Sequence, residues 1–533
     1  MTSKALWWQR GVVYQIYPRS FQDSNGDGIG DLPGITQRLD HLKWLGVDAL
    51  WISPFYRSPM ADFGYDVSDY TDVDPIFGTL ADFDRLLDKA HRLDLRVIID
   101  FVPNHTSDQH AWFVESRASR DNPKRDWYLW HDPAPDGGLP NNWTSVFGGS
   151  AWEWDAATGQ YYLHSFLKEQ PDLNWRNPEV QEAMLAQMRF WLERGVDGFR
   201  LDVINHVIKD AELRDNPRRS SADKWGAGEH VQFLHIYDKD RPEVFEITRM
   251  MRRLTDSYSE RVLIGEVYHQ DVHFWTRFYG TEEARGLHMP FNFRLLRTPW
   301  IAEEICASVE AVEGALEPWM QSNYVLGNHD THRIASRVGR AQARIATMLL
   351  LTLRGTPTLY YGDEIGMEGV DIPLEAQQDP YGRNVGDPTV GRDAERTPMQ
   401  WDASAYAGFS TVAPWLPVAE DAGTVNVAVQ REDSRSMLTL TRRLLSLRRA
   451  HAALHGGDYQ TVVAADGVYA YLREAEGARF LVVLNFTAEP RALAWPDLGR
   501  GEILLSTSLD REGDTSLEVF ELRPNEGVLL RLS

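Results

Sequence analysis

The chain has almost no cysteine: Cys306 is the only one in 533 residues. That excludes a disulfide framework and leaves a thiolate metal centre without support. Long hydrophobic runs are also missing. No stretch approaches the roughly 18 consecutive apolar residues of a membrane-spanning helix. The opening segment, MTSKALWWQRGVVYQ, is interrupted by polar and bulky residues before a signal-like apolar core develops. Positive charge is scarce. The 55 Lys and Arg stand against 78 Asp and Glu, a net charge of −23, whereas nucleic-acid binders need clustered cations. These absences predict a cytoplasmic protein with neither a membrane nor a nucleic-acid partner. The N-x-T triplets at Asn104, Asn142 and Asn485 then read as chance matches.

What is present is an ordinary globular composition, 43% hydrophobic and 25% charged. Length alone suggests roughly three or four domains, although one large barrel could absorb most of the chain. Aromatic residues are plentiful, with 19 Trp, 20 Tyr and 21 Phe. Burial is their default use, but flat rings also suit the apolar faces of sugars.

Short β-branched or aromatic runs predict strands at 12–17, 49–53, 96–102, 198–203, 262–267, 324–327 and 358–361. Amphipathic stretches lie between them. Leu80, Phe83, Leu87 and Ala90 share one helical face, and Asn177-Pro178 reads as the cap and first residue of another helix. Such β-α alternation implies a parallel sheet, either an open doubly wound sheet or a closed barrel. About 75 residues separate the third strand from the helix at Pro178, too long for a structureless loop, so a small inserted domain is expected at 104–174. A long polar stretch from Asp363 to Trp401 suggests a loop over the sheet's C-terminal edge. After a helix at 438–454, a hairpin through Glu476-Gly477 opens an antiparallel β-domain at 456–533. Residues 1–103 and 175–455 form the remaining unit.

Four predicted strands end in titratable residues: DFVPNH at 100–105, GFRLD at 198–202, GE at 265–266 and NHD at 328–330. In a β/α barrel the C-terminal strand ends converge on one pocket, which would gather Asp202, Glu266 and Asp330 with Arg200, His105 and His329. Two carboxylates about 5–5.5 Å apart serve a retaining glycosidase as nucleophile and proton donor. Like charges that close cannot both ionise cheaply, so one stays protonated near neutral pH. Arg200, two residues before Asp202, projects to the same face and would hold Asp202 ionised and oriented.

The ordered set DFVPNH, GFRLDVINH, GEV and NHD resembles the α-amylase family, glycoside hydrolase family 13. WWQRGVVYQIYPRSF, DFGYDVSDY, QPDLNW, GTPTLYYGDEIGM and RTPMQW sharpen the match toward its α-glucosidase and oligo-1,6-glucosidase branch, across essentially the whole chain. The resemblance implies a (β/α)8 TIM barrel with an inserted small domain after strand 3 and a C-terminal β-sandwich. It implies Asp202 as nucleophile, Glu266 as acid and later base, and Asp330 as transition-state stabiliser. His105, His329 and Arg200 would bind the glucose that is cleaved off. Asp62 would pair with Arg396 to grip the terminal 4-OH and close the pocket. Tyr65 would offer its ring to the sugar with the hydroxyl still wet, and Phe166 is a candidate for the pocket wall.

Asp23, Asn25, Asp27, Ile29 and Asp31 lie at alternate positions around Gly28, like the start of an EF-hand loop. The pattern fails at Gly34, where an EF-hand needs Glu. The resembling α-glucosidases carry a structural divalent ion here, held by Asp23, Asn25, Asp27, the Ile29 carbonyl and Asp31. Calcium is expected, with magnesium the alternative, because the clustered polar groups would otherwise repel one another. No organic cofactor is implied.

Val203, after the nucleophile, goes with α-1,6 preference in this branch, a bias of about 1–3 kcal/mol. The segment Asp210–Tyr237, containing AELRDNP, would wall the acceptor side and limit substrates to short oligosaccharides. The expected activity is a retaining exo-α-glucosidase on α-1,4 or α-1,6 linkages, with transglucosylation beside hydrolysis. Sucrose isomerase or trehalose synthase chemistry is the alternative, and a non-catalytic sugar-binding protein the remote one.

Overall fold

The structure is a computed structural model that describes residues 6–221 and 228–533. Seven parallel strands lie side by side in the order Met289–Pro290, Val262–Gly265, Gly198–Leu201, Arg96–Phe101, Ala49–Ile52, Val13–Ile16 and Thr358–Tyr360. The ring is completed by two parallel bridges. Tyr324 pairs with Asn292 and Val325 with Thr358, so the expected strand at 324–327 is reduced to a two-residue stave. The result is the expected eight-stave (β/α)8 barrel. Met289–Pro290 went unpredicted because two residues, one of them proline, carry no alternation to detect.

Side-chain alternation divides each strand between two cores. Ala49, Trp51, Ile98, Val262 and Ile264 face inward and pack with Met289, Phe291 and Val325. Leu50, Ile52, Val97, Ile99, Phe199, Leu201 and Leu263 face outward, against helical residues such as Leu39, Leu42, Leu86, Val180, Met184 and Met188. The same alternation, carried to the strand ends, aims Asp100, Arg200, Asp202 and Glu266 at the barrel axis.

The helices begin where their capping chemistry dictates. Asp31 accepts from the Gly34 amide at the start of Leu32–Leu45. Thr79 and Asp82 form a reciprocal capping box on Leu80–Arg92. Asn177 caps Pro178–Arg194, which stops at Gly195 in the left-handed conformation.

Between the third strand and that helix, Trp130–His131, Gln160–Leu163 and Trp152–Asp155 form a small antiparallel sheet. Its entry and exit pair through bridges His105–Asp172 and Tyr128–Leu173, so the insertion leaves and rejoins the barrel at one place. At the C-terminus, Val468–Ala475 and Ala478–Asn485 form the expected hairpin, turning through Glu476 and Gly477, both at positive φ. They belong to a six-stranded antiparallel sheet. One face, with Tyr469, Tyr471, Phe480 and Val482, packs on the barrel helices. The other is covered by the ribbon Arg491–Leu493 and Phe520–Leu522. Among the described residues, no helix is long and apolar enough to cross a membrane.

Beyond the last strand, Glu364 is fully buried, accepting from the Tyr14 hydroxyl at 2.7 Å and the Gly362 amide at 2.8 Å. Burial raises its carboxyl from the ordinary 4.5 to about 7. Folding therefore favours the protonated form. The contribution is intact below the unfolded value and is lost as pH rises through about 7. Glu364→Gln is expected to stabilise the protein near pH 8, by up to about 3 kcal/mol, and to change little near pH 4. Thermal unfolding at the two pH values checks this; an equal effect at both would contradict it.

Candidate active site

The inward-facing strand ends meet at one guanidinium. Arg200 is 1% exposed, and its Nη1 donates to Asp100 Oδ1 and to Asp202 Oδ1, both at 2.8 Å. Its Nη2 donates to Glu266 Oε2, which also accepts the Val203 amide at 3.0 Å. Val203 holds φ +34°, a strained conformation for a β-branched residue, and its side chain lines the cavity beside Phe147 and Phe166. The fold thus gathers three buried carboxyls from three strands around one cation.

Arg200 touches Asp202 as expected, and its guanidinium favours the ionised carboxylate. Burial pushes Asp202 well above the usual carboxylate range; the guanidinium opposes this, while Glu266 and Asp100 add to it. Burial likewise raises Glu266, and Asp100 to about 6. One cation faces three acids, so the ionisation of each disfavours that of the others and the members titrate together.

Asp330 differs. Burial works to raise it, yet His329 and the guanidiniums of Arg392 and Arg396 hold it below the usual carboxylate range. Arg396 Nη2 lies 2.9 Å and Arg392 Nη1 3.2 Å from Asp330 Oδ1. Arg396 Nε also donates to the His329 carbonyl at 2.7 Å.

The partner of Asp62 is a correction. Arg392, not Arg396, pairs with it, Nη2 donating to Asp62 Oδ1 at 2.7 Å. Arg392 is held in turn by Asp379, which accepts from its Nε at 3.0 Å and Nη2 at 2.6 Å. Both arginines lie on the predicted loop over the barrel mouth. Arg396 sits in a more recognisable motif, RTPMQW, which drew the assignment four residues downstream.

Tyr65 requires a second correction, because its hydroxyl is not wet. It meets His329 Nε2 at 2.6 Å and Asp100 Oδ2 at 3.2 Å, and its ring stacks on the His329 ring at 5.4 Å and 3°. Gln15 Nε2 lies 2.7 Å from His329 Nδ1, which places the single imidazole proton on Nε2. His105 is buried, and burial lowers its imidazole to about 4. Gln170 links it to Asp62, at 3.1 Å and 3.2 Å respectively. Phe166 lies beside His105 at 5.3 Å and Phe147 at 5.6 Å.

A cavity of about 670 Å³ is lined by Asp62, Tyr65, His105, Phe166, Asp202, Glu266, His329 and Asp330. Arg200 and Arg396 stand behind this wall. Sequence reasoning passed over Arg392, Gln170, Asp379 and the role of Asp100. Asp100 and Gln170 sat inside the quoted motifs DFVPNH and QPDLNW, whereas Asp379 lies in a loop without periodicity. The segment 210–237 lines the cavity through Phe233, Leu234 and Ile236. It docks on the insertion through Asn142–Asp215, Asn142–Asn216 and Trp143–Arg214 hydrogen bonds, each 2.9 Å. Its residues 222–227 lie outside those described.

The α-amylase catalytic-domain model matches residues 15–457. The chain belongs to the α-amylase family. It is 47% identical to a probable α-glucosidase of Rhizobium meliloti (strain 1021), over 91% of this chain and 90% of that protein. It is 39% identical to an oligo-1,6-glucosidase of Heyndrickxia coagulans, covering 97% and 98% of the two. Among solved structures, the α-glucosyl transfer enzyme XgtA superposes with a TM-score of 0.94 at 44% identity, over 99% of this chain and 100% of that one. The trehalulose synthase MutB from Pseudomonas mesoacidophila MX-45 superposes with a TM-score of 0.91 at 36% identity, over 100% of both.

The loop Asp23–Asp31 lies away from this α-amylase-family pocket. Its carboxylates do not simply repel one another. Asp23 accepts the amides of Asn25, Gly26 and Gly28 at 2.7–3.0 Å and the Ser410 hydroxyl at 2.6 Å. Asp27 accepts the Ile29 amide at 2.9 Å, and Asp31 accepts from Ser24 and Gly34. Among the described residues, no three Asp, Glu, His or Cys side chains form a metal-binding group. A cation would therefore need the Asn25 amide oxygen and the Ile29 carbonyl as well. That all-oxygen donor set fits a hard divalent ion.

Proposed function

We propose that the chain is a retaining, exo-acting α-glucosidase that removes the non-reducing terminal glucose from short α-1,4- or α-1,6-linked oligosaccharides. The observation that carries this reading is the sharing of one buried guanidinium by Asp202 and Glu266 at the floor of a cavity walled by the Asp62–Arg392 pair. Glu266 protonates the glycosidic oxygen as Asp202 attacks the anomeric carbon; the C–O bond to the leaving sugar breaks and a β-glucosyl ester forms. Glu266, now a carboxylate, takes a proton from water, which attacks the same carbon and expels Asp202. Two inversions give α-glucose. The ionised Asp330 favours a proton on Glu266 and stabilises the developing oxocarbenium charge.

Capture of the glucosyl ester by a sugar hydroxyl gives transfer in place of hydrolysis. The apolar acceptor wall of Phe233, Leu234 and Ile236 and the likeness to a glucosyl transfer enzyme and a trehalulose synthase support this second outcome. Val203 tilts the linkage preference toward α-1,6. A cytoplasmic setting, supported by the single cysteine, belongs to the same reading.

Glu266→Gln should lose activity on maltose and isomaltose by about 100-fold or more while retaining far more on 4-nitrophenyl α-glucoside, whose leaving group needs no proton. Comparison of kcat/KM on these substrates checks the acid assignment, and equal losses would contradict it.

We also infer that Asp23, Asn25, Asp27, the Ile29 carbonyl and Asp31 hold a structural divalent cation, most simply calcium. When bound, it would neutralise the loop's carboxylates and brace the helix that Asp31 caps. EDTA is expected to lower the melting temperature, with calcium restoring it, while turnover by still-folded protein at low temperature persists. Immediate loss of turnover in the cold would sink this assignment.

A further inference from the structure

His332 and Glu395 have no part in the chemistry above, yet they join the two segments that assemble it. His332 follows Asp330 by two residues; Glu395 immediately precedes Arg396 and lies three residues after Arg392. His332 Nδ1 is 3.1 Å from Glu395 Oε2, and its Nε2 is 3.2 Å from the Thr389 carbonyl. A carboxylate and a carbonyl oxygen can only accept. With Glu395 ionised, both ring nitrogens carry protons and the ring is an imidazolium, a form the Glu395 hydrogen bond favours.

Glu395 is 2% exposed and His332 48% exposed, so an anion in the wall is covered by a cation at the rim, both lining the cavity. The rest of the setting is basic. Arg337 Nε donates to the His332 carbonyl at 3.1 Å, and the neighbouring Arg392 and Arg396 are occupied by Asp62, Asp330 and Asp379. Without His332, the Glu395 carboxylate would remain buried with no side-chain cation bound to it, a costly arrangement that a shift of the loop would relieve. Such a shift would move Arg392 and Arg396, because they share that loop.

We propose that the His332–Glu395 ion pair, with the Thr389 carbonyl, is a latch that positions Arg392 and Arg396 against Asp62 and Asp330. The two residues are positioning residues: they set how tightly the terminal glucose is gripped and leave the proton donor and nucleophile to Arg200. This rests on the α-glucosidase reading, in which Arg392 lines the glucose-binding wall and Arg396 stands behind it.

The test compares wild type, His332→Ala, Glu395→Ala and the double variant. Each is assayed for KM and kcat on 4-nitrophenyl α-glucoside, for competitive inhibition by free glucose, and for melting temperature. Loss of the charged hydrogen bonds should raise both KM and the glucose inhibition constant by about tenfold, with kcat falling much less. The double variant should be no worse than the poorer single one, because the pair acts as a unit. Glu395→Gln, which keeps an acceptor for Nδ1, should recover part of the loss. Wild-type KM in all variants, additive effects, or kcat and melting temperature falling together with KM unchanged would overturn the latch. Wild-type protein inert on every α-glucoside would instead overturn the reading beneath it.

Discussion

The site depends on one buried cation that is asked to serve three acids. Arg200 touches Asp100, Asp202 and Glu266 with two nitrogens, and its burial makes each contact costly to leave unmet. Asp100 takes no direct part in the chemistry, yet it extends the cluster into the barrel. Its second oxygen accepts from Trp51 Nε1 at 3.1 Å and Tyr65 at 3.2 Å. The chain from Gln15 through His329 and Tyr65 to Asp100 then fixes the ring expected to stand beside the sugar. Burial raises the three acids while the single guanidinium favours the ionised form, so the cluster favours an acid beside a carboxylate. That is what a site needing a proton donor and a nucleophile a few ångströms apart requires.

A second group of charges is richer in cations. Around Asp330 and Asp62 two guanidiniums meet three carboxyls: Arg392 and Arg396 both face Asp330, while Asp62 and Asp379 share Arg392. Asp330 is therefore ionised where Asp202 and Glu266 are not both so. Two neighbouring clusters of the same residue types thus shift Asp202 and Asp330 in opposite directions, with the ratio of guanidinium to carboxyl the difference between them. The loop that supplies Arg392 and Arg396 has little regular structure. Ion pairs hold it alongside hydrogen bonds such as that from the Tyr360 hydroxyl to the Glu395 carbonyl, which gives the His332–Glu395 contact its proposed importance.

Much of this was legible in the sequence, for physical reasons. Period-two alternation made inward positions such as Asp100, Arg200, Asp202 and Glu266 predictable once their strands were found. The capping residue Asn177 marked a helix start. The barrel itself was not separable from an open sheet by alternation, because closure lies in the Tyr324 and Val325 bridges, two residues long. The Asp62 partner was misassigned because nothing local distinguishes Arg392 from Arg396; only the path of the loop decides which reaches Asp62. The environment of the Tyr65 hydroxyl and the rise of Asp202 were likewise invisible, since both depend on burial by distant segments. The metal loop shows the converse: its spacing was plain, but the backbone amides that satisfy its carboxylates were not.

The division of labour between Asp202 and Glu266 is the central claim, and covalent trapping tests it most directly. Incubation with 5-fluoro-α-D-glucosyl fluoride, which forms the glucosyl-enzyme faster than water removes it, should add one fluoroglucosyl group per chain. Peptide mapping by mass spectrometry should place that group on Asp202. A label on Glu266 or Asp330, or steady turnover of the reagent with no adduct at any stage, would contradict the account.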